Sequence, residues 1–354
     1  MNNKTKYGFN ALALLLLIFG FSDHQKERIT WPEFPTDIKE APGFGFLVSN
    51  KGSKSVALYP AEFDHPIRIW NFKETPTGIA TRADYAYITT FSTTGKVHFL
   101  NLTTGEIETS VVTGSGANTP LLSPDGNTLY VLNQFHNSVA KIDMNSQQVT
   151  ATVKVIREPR CAIIDGQGKY LFVANFLPAM RADVDTVTAC VSVIDLDSFT
   201  KVRDIELSNG SNALRGICLS PDGKYVFVTH NLGRFQVPTN QLQQGWMNTS
   251  AMSIINATSL EKAGTVLLDD PERGAAGIWG VNCTEDKIVI THSGTHEISV
   301  IDYPEFLKKF EDHPDPHSLD YDLSFMYGIR KRIPLTGNGP RDFIISDNKA
   351  YIPT

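Results

Sequence analysis

"TPLLSPDGNTLYVLNQFHNSVAKIDMNSQQVTATVKV", Thr119 to Val155, decides the fold. "TPLLS" leads to the turn "PDGN", then "TLYVLN", the loop "QFHN", "SVAKIDM", the turn "NSQQ" and "VTATVKV". Apolar and polar residues alternate with a period of two, most clearly in "VTATVKV". Val, Ile, Thr and Tyr fill the runs, and Gly, Pro, Asn and Asp collect between them. That is the pattern of four short antiparallel strands joined by tight turns.

The second of these runs recurs along the chain. "FLVSN" starts at 46, "AYITT" at 86, "LYVLN" at 129, "LFVAN" at 171, "VFVTH" at 226, "IVITH" at 288 and "AYIPT" at 350. The unit is about 42 residues, and three later copies are lengthened by insertions. The "PDG" of Pro124–Gly126 returns at Pro221–Gly223, a tight-hairpin signal. Four antiparallel strands in a unit of this length read as a β-propeller blade. The recurrences predict an all-β, seven-bladed propeller with four-stranded antiparallel blades. The seventh copy supplies only "DFIIS" and "AYIPT", so the last blade is expected to be incomplete and the natural protein to continue past Thr354. The one helical signal, "YPEFLKKFEDH" from Tyr303, predicts about two turns.

The chain has 354 residues, 41% of them apolar and 20% charged, the balance of an ordinary globular protein. A net charge of −6 argues against nucleic acid or an anionic membrane as the partner. Lys4 and Lys6 precede the apolar run "FNALALLLLIFGF", and Gly20 and Ser22 form a small-residue cleavage pair. Residues 1–22 therefore read as a signal peptide, 23–42 as a linker and 43–354 as propeller. The apolar run is too short to span a bilayer comfortably. The expected location is the periplasm, the medium or the cell surface, with no transmembrane span after signal removal. Cys161, Cys190, Cys218 and Cys283 lie scattered in or beside apolar runs and read as buried thiols. No CxxCH is present, so no c-type haem attaches covalently here.

"SPDGKYVFVTHN" and "VSVIDLDSFTKVRDIEL" resemble the YVTN-type propeller repeats of exported bacterial and archaeal proteins. A narrower resemblance lies in "RFQVPTNQLQQGWMNTSAMSIIN", "VLLDDPERGAAGIWGV", "THSGTHEISVIDYPEF" and "GIRKRIPLTGNGPRDF". These are similar to a subgroup in which the propeller precedes a c-type cytochrome, peroxidase-like domain. The resemblance implies a partner: a downstream or separate c-type haem domain.

In a four-stranded blade, the loops before the first strand and after the second crown one rim, here called the top. The insertion "LPAMRADVDTVTA" and the stretch Asn231–Ser250 both follow second strands and belong there. The insertion Tyr303–Tyr327 follows a third strand and belongs to the bottom. The residues opening successive inner strands are Thr77, Asn118, Arg160, Arg215, Trp279 and Arg341. They should line the channel mouth. Three arginines and a tryptophan there suit a small anionic ligand, because the guanidinium fork binds a carboxylate or phosphate in bidentate fashion. Arg234 and Trp246 are expected to extend that site as a side wall. His230, His292 and His296, at the top of adjacent units, are candidate ligands for a metal ion or contacts for a partner's haem.

Three functions compete on the sequence. The preferred one is an exported, non-catalytic module that docks a c-type haem partner or binds an anionic ligand on its top face. The second is a metal-dependent hydrolase or lactonase-like enzyme using Asp269, Asp270 and Glu272 with the histidines. The third is a cell-surface adhesive repeat protein.

Overall fold

The structure is a computed structural model describing residues 32–61, 65–234 and 247–354. Each recurring unit folds as a four-stranded antiparallel sheet in which strands pair in sequence order. In the unit around Thr119–Val155, the strands are Ala117–Leu122, Thr128–Asn133, Ser138–Asp143 and Gln148–Lys154. Its "PDG" turn works as read: Gly126 takes φ +70°, and Asp125 accepts the Asn127 N–H at 3.0 Å.

Among the described residues six such blades form, not the seven that the recurrences predicted. The seventh motif, "AYIPT", contributes only the strand Lys349–Tyr351, paired with Ile344–Ser346 in a two-stranded hairpin. The repeat counts second strands. A blade also needs a third and a fourth to cover the outer edge of the second. Pro35–Ala41, inside the segment read as a linker, is the inner strand of the first blade. Its buried apolar residues, Ile38 and Ala41, are three apart, a spacing that hides the strand from a period-two reading.

The core is a series of wedges between neighbouring blades. Leu47 and Leu58 of the first blade meet Ile79 and Ile88 of the second. Phe172 and Val191 of the fourth meet Val226 and Val228 of the fifth. The hairpin completes the circuit. Phe343, Ile345 and Ile352 pack on Val289 and Ile298 of the sixth blade, while Ile344 and Tyr351 pack on Ile38 and Phe46 of the first. Across this junction Lys39 binds Asp37 at 3.0 Å and Asp342 at 3.3 Å.

The insertion Tyr303–Tyr327 holds the predicted helix, Tyr303–Glu311, capped by Asp302. It is not confined to the bottom. Phe306, Phe310, Leu319 and Phe325 fill the junction of the fifth and sixth blades. The short helix Pro316–Tyr321 then lies along the outer strand Glu261–Leu267. An outer strand so covered offers no free edge for another chain.

Candidate functional site: guanidinium groups at the channel mouth

All six inner strands carry a register shift near the top: at Pro35/Asp37, Pro76/Gly78, opposite Val131/Leu132, and at Pro159/Cys161, Asn212/Gly216 and Ile278/Val281. A bulge adds an unpaired residue and re-aims its side chain. The residues inside the shifts include Thr36, Thr77, Thr119, Arg160, Arg215 and Trp279, and all six line the central cavity.

Staples from blade to blade fix their height. The Thr77 hydroxyl donates to Ala117 O at 2.7 Å, that of Thr119 to Arg160 O at 2.9 Å, and that of Thr229 to Trp279 O. Gly216 is required here: a Cβ would stand 2.3 Å from Trp279 O.

The structure thus brings together four of the residues expected at the mouth. The guanidinium carbons of Arg215, Arg341 and Arg160 lie 4.9, 5.4 and 5.9 Å from the Trp279 ring centroid. Arg215 also stands 5.4 Å from the Phe176 ring, and Arg341 3.8 Å from that of Phe34. Among the described residues, none of the three forms an ion pair, and the Arg160 and Arg215 guanidinium groups make no hydrogen bond. Arg341 donates to Pro35 O and Gly339 O, each at 3.2 Å.

Burial lowers the Arg160 guanidinium below its usual value, with Cys161 and Asp37 pulling the other way. Burial also lowers Arg215, and the neighbouring Arg160 charge adds to that. Burial lowers Arg341. All three stay protonated at neutral pH, because arginine does not titrate in that range. The mouth is therefore a partly desolvated concentration of positive charge.

Two cavities meet there. One, about 430 Å³, descends the channel past Asp37, Cys161 and Asp342. The other, about 440 Å³, opens upward between Phe91, Phe135 and Phe176. Arg160, Arg215 and Trp279 line both. Phe91 and Phe135 are 38% and 51% exposed and meet edge to face at 5.4 Å between centroids. Sequence reasoning missed this aromatic rim. Its members sit singly at or just past the ends of second strands, without a periodic signal.

Arg234 does not join the cluster. The arms of its hairpin extend past His230, pairing Asn231 with Ser250 and Gly233 with Asn248. At their end Arg234 turns outward, donating to Asp320 O at 3.2 Å and lying over Tyr321. Trp246 lies outside the described residues.

The three histidines are not assembled either. The His230 Nε2 meets Ser253 Oγ at 2.8 Å, and the His292 Nε2 meets Ser299 Oγ at 2.8 Å. Both rings are fully buried, which pushes His230 down to about 4 and His292 to about 3. His296 stands apart and accepts the Gly339 N–H at 3.0 Å. Among the described residues no group of three metal-ligating side chains occurs. In the second to sixth blades the residue at this position is an inter-strand clamp. Asn175 fills it in the fourth blade, donating to Cys190 O at 2.9 Å and to Ser192 Oγ at 3.0 Å.

The acidic residues of a hydrolytic reading are also committed. Asp269 accepts the N–H groups of Ser250 and Ala275, and burial pushes it up to about 6. Asp270 pairs with Arg330 and Arg332, and Arg332 also pairs with Glu297.

No family model matches the chain. Over 199 residues it is 34% identical to the hydrazine synthase subunit beta of Kuenenia stuttgartiensis, a match covering 54% of this chain and 49% of that one. The chain thus spans about half the length of this curated relative. A solved structure, the Kuenenia stuttgartiensis hydrazine synthase, superposes with a TM-score of 0.81. That superposition covers 94% of this chain and 96% of the other, at 22% identity. What the structures share is the propeller. The four free cysteines, Cys161, Cys190, Cys218 and Cys283, are buried or half-buried within it.

Proposed function

We propose that this chain is an exported, non-catalytic propeller subunit of a multisubunit assembly related to hydrazine synthase. In this reading its top face docks a partner protein that carries c-type haem. The similarity to a protein named as a subunit carries the reading. The top face supports it. Exposed Phe91 and Phe135 beside carboxylate-free guanidinium groups have the composition of a protein interface, with aromatic anchors and arginine. The hydrolase reading loses its residues, since Asp269, Asp270, His230 and His292 are each held by neighbours.

Affinity purification of the full chain from its native cells, followed by haem staining and mass determination, tests the proposal. A stoichiometric haem-bearing partner that is lost in Phe91→Ala/Phe135→Ala is the expected result. A monomer from native extracts overturns it.

A further inference from the structure

We propose that the channel mouth is a pocket for a single carboxylate carried on a flat apolar group. The carboxylate lies between Arg160 and Arg215, and its apolar body rests against Phe176, Phe135 and Trp279. This deepens the reading of the top face as the working face, and rests on it, by naming the chemistry recognised there.

Four observations converge. Arg160 and Arg215 are like charges held together by strand bulges, and neither has a carboxylate partner among the described residues. Keeping two desolvated cations side by side costs free energy that an anion between them returns. Their guanidinium carbons lie 4.9–5.9 Å from aromatic ring centroids, Arg215 near both Trp279 and Phe176, and none of the guanidinium N–H groups has a hydrogen-bond partner among the described residues. The in-plane N–H groups are left for an acceptor, and a planar carboxylate matches that fork. The upper cavity, about 440 Å³, is the size of a small-molecule site, and much of its wall is aromatic. Finally, the cavity just below holds Asp37 and Asp342 with the Lys39 ammonium already paired to both, so it offers no free cation to a second negative charge on the ligand. Charge, shape and wall chemistry together favour a monoanionic carboxylate over phosphate.

Such a carboxylate comes either from a free small acid or from a side chain or C-terminus of the partner. The test uses the full chain and four probes in calorimetric titrations: phenylacetate, its uncharged amide, acetate and inorganic phosphate. Phenylacetate is expected to bind, with the amide and acetate each weaker by about tenfold or more, the worth of one charge-assisted contact or one buried ring. Arg160→Gln and Arg215→Gln are each expected to weaken phenylacetate by about tenfold or more. Arg160→Lys and Arg215→Lys, which keep the charge and lose the fork, serve if either glutamine variant fails to fold. Arg203→Gln, on an outer strand, should leave binding unchanged. Equal binding of phenylacetate and its amide, tighter binding of phosphate, or indifference to the arginine changes overturns the proposal.

Phenylacetate that releases the haem-bearing partner assigns the carboxylate to that partner. Phenylacetate that binds without releasing it assigns a free acid. Binding of phenylacetate by a chain that recovers no partner sinks the docking function and leaves the pocket standing. A partner held equally well by the arginine variants, with no phenylacetate binding, does the reverse.

Discussion

Among the described residues two arginine clusters stand out, one on the outer strand of the sixth blade and one at the channel mouth, and they are built on opposite terms. Arg330 and Arg332 are almost wholly buried, with 3% and 6% of their side chains exposed, and each faces carboxylates. Asp270 lies between them, and Glu297, fully buried, takes Arg332 and Arg273. Arg160, Arg215 and Arg341 are half-buried, face aromatic rings and have no ion-pair partner among the described residues. The first cluster has its counter-charges built in and belongs to the architecture of the sixth blade. The second lacks them, and its donors open into a cavity. A buried charge with its partner in place reports on folding. One without a partner reports on what comes from outside.

The contrast can be broken by substitution. Arg332→Ala leaves Glu297 buried with only the half-exposed Arg273, and is expected to cost about 3–5 kcal/mol, read as a large drop in melting temperature. Arg215→Gln removes a desolvated cation that repels Arg160, so its melting temperature should hold or rise slightly. A loss matching that of Arg332→Ala would place the mouth among the structural clusters.

The histidine clamps sharpen the comparison through pH. Burial holds His230 and His292 neutral in the folded chain, at about 4 and about 3, below the unfolded value near 6.5. As pH falls below about 6.5, the unfolded state takes up protons that the folded state refuses, so stability declines towards about pH 4. The double variant His230→Asn/His292→Asn installs the residue that other blades use at this position. It should flatten that decline, measured as melting temperature between pH 7 and pH 4. An unchanged slope would assign the acid sensitivity to other groups. The smallest effect belongs to the surface pair Arg203–Glu261, 3.2 Å apart and largely exposed. Arg203→Gln should shift stability by no more than about 0.5 kcal/mol in a denaturant melt.

The sequence carried the blade rhythm because each second strand, such as "LYVLN", is buried on both faces and flanked by turn residues. It also placed Arg160, Arg215, Trp279 and Arg341 at one mouth, since equivalent positions in a repeat occupy equivalent places. The number of complete blades escaped, because "AYIPT" has the composition of a second strand whether or not a third pairs with it. The inner strand Pro35–Ala41 escaped because its apolar residues do not alternate. The direction of Arg234 escaped for another reason. It depends on where the insertion carrying Asp320 and Tyr321 runs, and no local pattern encodes a contact 86 residues away. The imidazoles read as metal ligands because a residue type shows its chemistry, not its burial. Ser253 and Ser299, each two residues past the one that pairs with the histidine, were the signal that these rings were already engaged.

The junction at Lys39 has a consequence in time. Its second carboxylate partner, Asp342, lies 303 residues further along the chain. At a synthesis rate of about 5–20 residues per second, that partner emerges roughly 15–60 s after Lys39. For that interval the apolar side of the first blade, Ile38, Phe46 and Val48, lacks the hairpin that later covers it. During synthesis the first blade waits longest for its neighbour, and is the part of the ring most in need of protection from other chains.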